Sequence, residues 1–153
     1  MMAAPPDTST TLPILKMKTL NILGWLFFGM LTAQAQLAVT VSPPKISGQK
    51  AVVQLALTNN LSWSVESARA ICFLLDDQGK MVGQSTKWVI GGTKDRPKLA
   101  PKSGTKFNFV ITSPQPFTTT NLTAKVSFSR VVLDGGKLAD VQKDVSVTAA
   151  AQH

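Results

Sequence analysis

An all-β fold, seven short antiparallel strands closed into a single two-sheet sandwich, is predicted by three features of this 153-residue sequence. Apolar and polar residues alternate with period two through most segments after residue 36, and no segment carries a helical stripe. β-Branched residues crowd those segments, as a pleated, half-buried surface favours. Clusters of Gly, Pro, Asp and Asn interrupt them at short intervals, which is the spacing of strand-to-strand turns.

The strands follow in order. Leu37 to Val41 is the first, stopped by Ser42-Pro43-Pro44 because proline has no amide hydrogen for a ladder. Ala51 to Thr58 is the second, with Val53, Leu55 and Leu57 on one face and Asn59-Asn60 turning the chain. Val65 to Leu75 is the third, with Ile71, Phe73 and Leu75 on a common face. Asp76-Asp77-Gln78-Gly79-Lys80 has the residues of a hairpin turn, since Asp and Gly tolerate its backbone angles. Met81 to Ile90 is the fourth strand, broken by Gly91-Gly92. A basic loop from Thr93 to Gly104 contains Pro97 and Pro101, which oppose regular pairing. Thr105 to Thr112 is the fifth strand, with Phe107, Phe109 and Ile111 inward. Leu122 to Leu133 sets Ala124, Val126 and Phe128 against Lys125, Ser127 and Ser129. Leu138 to Thr148, with Val141, Val145 and Val147, is the seventh. Two packed sheets with antiparallel connections accommodate this pattern. No pair of cysteines flanks a tryptophan, so a fibronectin-like variant of the immunoglobulin sandwich is expected rather than the disulfide-bridged form.

Ahead of the sandwich, Lys16 and Lys18 precede an apolar run from Leu20 to Leu31 that closes on Thr32-Ala33-Gln34-Ala35. A charged start, a short apolar core and a small-x-small exit are the parts of a secretory signal peptide. The run is nearer a dozen residues than the ~20 a spanning helix needs. The expected organisation is therefore a signal peptide with a polar N-terminal extension over 1–35, the sandwich over 36–148 and a flexible tail over 149–153. The expected destination is outside the cytosol: periplasmic, cell-surface or secreted. No later segment is long and apolar enough to span a bilayer.

Charge narrows the partners. Of 16 Lys and Arg and 8 Asp and Glu, two cations and one acid lie in the leader, which leaves the rest of the chain clearly basic. An acidic partner surface is favoured by such a field, although the same charge also serves solubility. Lys94, Arg96, Lys98, Lys102 and Lys106 form the one concentration. No aromatic interleaves with them before Phe107, so the stacking platform of a single-strand nucleic-acid binder is missing. Lys94, Arg96, Lys98 and Lys102 are candidate binding residues, against the plainer reading of a solvated loop. Trp63, just after the Asn59-Asn60 turn, is either an exposed anchor for a partner or a cap over the end of the core.

Catalytic chemistry is not legible. The single histidine is His153, at the end of the expected tail, so Cys72 has no histidine partner for nucleophilic catalysis. One Cys and one His cannot supply a zinc cluster. Cys72 sits in an apolar strand and reads as core packing or sheet-face burial. Asp76 and Asp77 are followed by a lysine where a calcium loop wants further oxygens, so they read as a turn. The expectation is no catalytic residue, no metal and no cofactor.

Val52 to Asn59, Val65 to Asp76 and the Gln78-Gly79-Lys80-Met81-Val82-Gly83 turn, followed by Leu99-Ala100-Pro101-Lys102-Ser103-Gly104-Thr105-Lys106-Phe107-Asn108-Phe109, carry a resemblance. Together they are similar to the bacterial exported immunoglobulin-like modules grouped under the FxLYD name. The resemblance spans Val52 to Ile111 and departs at the name-giving motif, where Phe73-Leu74-Leu75-Asp76 has no tyrosine. It implies an accessory or binding module without catalysis. The function expected is protein or surface binding at the cell envelope. The alternative is a small exported protease inhibitor that presents the 91–104 loop.

Overall fold

The computed structural model describes residues 34–151; the expected signal peptide lies almost wholly outside them, as do the last two residues. The described chain is built of nine strands and one short helix. The strands are β1 (Leu37–Val41), β2 (Lys45–Ser47), β3 (Lys50–Asn59), β4 (Val65–Leu75), β5 (Met81–Ile90), β6 (Gly104–Thr112), β7 (Thr123–Leu133), β8 (Lys137–Leu138) and β9 (Val145–Ala149). The helix α1 spans Val141–Asp144.

Two sheets result. In the first, β6 pairs antiparallel along β3 from Lys50 to Thr58. The opposite side of β3 takes β1 at Leu55 to Asn59 and β2 at Lys50 to Val52. β9 lies parallel to β1, with Leu37 opposite Val145 and Val41 opposite Ala149. The second sheet runs β5-β4-β7-β8, all antiparallel. The core is the inner face of each sheet: Leu37, Val39, Val53, Leu55, Leu57, Phe109 and Ile111 from the first, and Ala68, Ala70, Cys72, Leu74, Val126, Phe128 and Val131 from the second.

The two-sheet β architecture matches the expectation, and two of its details are corrected. Seven strands become nine because one short strand, β2, forms in a stretch expected to lie between strands and one expected strand is interrupted. Pro43 and Pro44 break the first line of pairing, yet Lys45–Ser47 resumes it on the same side of β3 before the turn at Gly48. The expected last strand is split by α1. Asp140 caps that turn, its Oδ1 accepting from the Gln142 amide (3.0 Å), while the Asp140 amide donates to Asp144 Oδ2 (2.8 Å). The split lets the chain leave the edge of one sheet, where β8 pairs with β7, and join the other beside β1. That transfer produces the second correction, a parallel pair in a sandwich expected to be wholly antiparallel. Pairing also runs past Thr148, since the Ala150 amide donates to the Val41 carbonyl (2.8 Å).

Side-chain phase follows the ladders. In β4 the small residues Ala68, Ala70 and Cys72 face inward with Leu74, whereas Ile71, Phe73 and Leu75 share the outer face and are half-buried. Trp88, opposite Arg69 on β4, is also half-buried on that face, and the Arg69 guanidinium sits 5.9 Å from its ring centre. A bulge at Ser129 shifts β7 by one residue, so Phe128 and Val131 both point inward. Gly83 has no side chain because Ile111 of the facing sheet packs there; a Cβ would stand 2.9 Å from Ile111 Cγ2.

Candidate functional site

Three loops meet at the end of the sandwich where β3 stops, and one residue joins two of them. Asn59, the last residue of β3, is fully buried. Its Nδ2 donates to the carbonyls of Trp63 (2.9 Å) and Leu99 (3.0 Å), and its Oδ1 accepts from the Leu61 amide (3.0 Å). Its own amide donates to Ser103 O (2.9 Å) and its carbonyl accepts from Lys102 N (2.7 Å). Every polar group of this buried residue is thus matched, as burial requires. The 60–64 loop and the 99–103 segment are held to the same point. Val65 and Leu99 exchange backbone hydrogen bonds of 2.9 Å each, which fixes the second segment further. The third loop, Asp134–Gly136, is tied in by Asp134 N donating to Ser64 O (3.0 Å).

Trp63 rides on this clamped loop with 55% of its surface exposed. Of its two sequence readings, the exposed one describes its position. The Lys137 ammonium lies 6.0 Å from its ring centre, at the outer limit of a cation–π contact. Lys98 reaches Asp134 Oδ1 at 3.2 Å, and both groups are solvated enough that the pair contributes at most ~1 kcal/mol. Lys102 occupies the left-handed region (φ 60°) in the Ala100-Pro101-Lys102-Ser103 turn, closed by Ser103 N donating to Ala100 O (3.3 Å). Its ammonium sits 3.4 Å from Asn60 O.

The five expected binding residues therefore divide. Trp63, Lys98 and Lys102 are gathered at the clamped end. Lys94 and Arg96 lie on the first half of the loop, and Arg96 reaches residues of both β5 and β6. Lys94 is exposed in the turn closed by Arg96 N donating to Thr93 O (3.2 Å). Arg96 is half-buried, its guanidinium 4.6 Å from the Phe107 ring centre and its Nη1 donating to the Trp88 carbonyl. The sequence marks Asn59 only as a turn residue and does not set Asp134 or Lys137 apart. A buried asparagine that links loops leaves no mark in the residue pattern.

Asp76 and Cys72 have structural occupations. Asp76 Oδ1 accepts from the Gln78 amide (2.9 Å) and the Lys80 amide (2.8 Å), so this carboxylate closes the hairpin expected of it. Cys72 is buried against the core, and burial pushes its thiol up to about 11, which keeps it protonated and a poor nucleophile at neutral pH. Among the described residues, no three His, Cys, Asp or Glu side chains group in a way that could hold a metal ion. No helix of the described residues is long and apolar enough to cross a membrane. Comparison with protein-family models, curated proteins and solved structures returns no match for this chain.

Proposed function

We propose that this chain is an exported, non-enzymatic β-sandwich module that binds a protein or an acidic envelope surface through the end of the sandwich around Trp63. One observation carries the reading: a large exposed indole is held on a loop whose backbone is pinned from beneath by a buried asparagine. Ordering a loop before contact removes an entropic cost from association, and aromatic anchors dominate many interfaces. Lys98, Lys102 and Lys137 on the joined loops, with Lys94 further along, supply a field that suits an acidic partner. The similarity of the sequence to FxLYD-type modules points the same way. The protease-inhibitor alternative needs a protruding loop, whereas Leu99 is buried in the middle of this one and bridged to Val65.

Binding of the purified protein to envelope extract, at low and at high salt, tests the reading with two variants. Trp63→Ala abolishes capture of the partner while leaving the melting temperature within a degree or two, because the indole is mostly in water. Lys94→Gln, Lys98→Gln and Lys102→Gln together weaken capture at low salt and flatten its salt dependence. Capture by both variants equal to wild type refutes the site. An N-terminus other than Gln36 on exported protein refutes the assigned cleavage point.

A further inference from the structure

The seam between the two sheets is open on one side. Among the described residues β5 pairs only with β4 and β6 only with β3, and no strand spans the gap between these edges. The loop that joins β5 to β6 folds over the gap instead and leaves a cleft of about 350 Å³. Its apolar floor is Val89, Ile90, Leu99 and Phe107; the first three belong to the buried core, so the cleft opens onto the interior of the sandwich. Three cations, Arg96, Lys98 and Lys106, line it, and no acidic residue does.

Arg96 is the informative member. The Phe107 ring lies under its guanidinium, and among the described residues only Nη1 has a protein acceptor, the Trp88 carbonyl. The rest of a five-donor fork is left for something else. Asp95, adjacent in sequence, does not line the cleft and makes no ion pair with it. A half-buried guanidinium with unmatched donors, at the mouth of an apolar cleft without acids, is matched by a carboxylate that carries an apolar tail. A planar carboxylate meets such a fork with paired hydrogen bonds. The volume is at the small end of ligand pockets, which run from roughly 300 to 1,000 Å³.

We propose that this cleft binds a small amphiphilic carboxylate, its head on Arg96 and its aliphatic or aryl tail on Val89, Ile90, Leu99 and Phe107. This site shares Lys98 with the contact proposed around Trp63 but is centred on Arg96 and the apolar floor, and it stands whether or not that contact does. Amide chemical shifts of the 15N-labelled protein, titrated with decanoate, decanol and acetate, test it. Decanoate shifts Val89, Ile90, Arg96, Leu99 and Phe107 saturably below its aggregation concentration, while decanol and acetate each bind at least about tenfold more weakly for want of head or tail. Arg96→Gln lowers decanoate affinity roughly tenfold or more. Because Arg96 also braces the loop, Thr105→Phe, which fills the cleft from an exposed position and spares the guanidinium, is the second variant and also abolishes the shifts. Trp63→Ala leaves them unchanged. The proposal is overturned if decanoate shifts nothing in the cleft, if decanol binds as well as decanoate, if Thr105→Phe binds like wild type, or if shifts appear only above the aggregation concentration.

Discussion

Replacing Asn59 by leucine separates a structural clamp from an incidental polar residue. The two side chains have the same number of heavy atoms and branch at the same carbon, so the change removes hydrogen bonds without leaving a void. It deprives three backbone groups of their partner: the carbonyls of Trp63 and Leu99 and the amide of Leu61. Leu99 O keeps the Val65 amide at 2.9 Å, which leaves Trp63 O and Leu61 N as the orphans. At about 1–3 kcal/mol for each unsatisfied group, the loss is roughly 2–6 kcal/mol, a large share of the ~5–15 kcal/mol typical of a domain. In urea, with a slope of about 2 kcal/mol per molar, the midpoint falls by about 1–3 M. Hydrogen exchange should quicken first at the amides of 60–64 and 99–103, because those are the segments Asn59 ties together. Asn59→Asp is a sharper form of the test. It keeps an acceptor for Leu61 N but sets a carboxylate oxygen against two carbonyls. A midpoint within experimental error of wild type for both variants, with no local exchange change, would refute the clamp.

Two further expectations concern groups with no partner to spare. A Cβ at Gly91, where φ is +52°, overlaps the Glu66 carbonyl oxygen, so Gly91→Ala costs about 3 kcal/mol or more from backbone strain and overpacking together, read from urea melts. The Cys72 thiol, ordinarily near 9.0 and about 11 in the fold, adds a pH dependence: the folded state resists the thiolate, so its share of stability is intact below pH 9 and lost as pH rises to 11. Relative to Cys72→Ala, wild type therefore weakens over that window by about 2–3 kcal/mol, and equal pH profiles of the two proteins would contradict this.

Much of the fold was legible because strands with one wet face alternate, and β3, β6 and the first half of β7 do so cleanly. β4 was harder. Ala70 to Leu75 is apolar at every position, so period two cannot say which set faces inward, and the larger Ile71, Phe73 and Leu75 turned out to lie outside. The break in the last strand had a signal in Asp140 and Asp144, whose carboxylates satisfy the amides of a single helical turn, but four residues are too few for periodicity to register. At the candidate site, the basic residues and Trp63 were visible as types, and their grouping was not. Whether Arg96 points to solvent or lies across Phe107 depends on a ring met only after the loop has folded back.

The parallel pairing of β1 with β9 has a consequence for how such a chain can form. β1 lies between β3 and β9, and the second of these neighbours is the last strand in the sequence, with Leu37 meeting Val145. In a chain delivered N-terminus first, the earliest strand waits with one edge bare until nearly all the rest has arrived. Contacts this distant along the chain are slow to close. The sheet can be completed only once nearly the whole domain is free to fold, so β1 is among the last strands to gain its second neighbour.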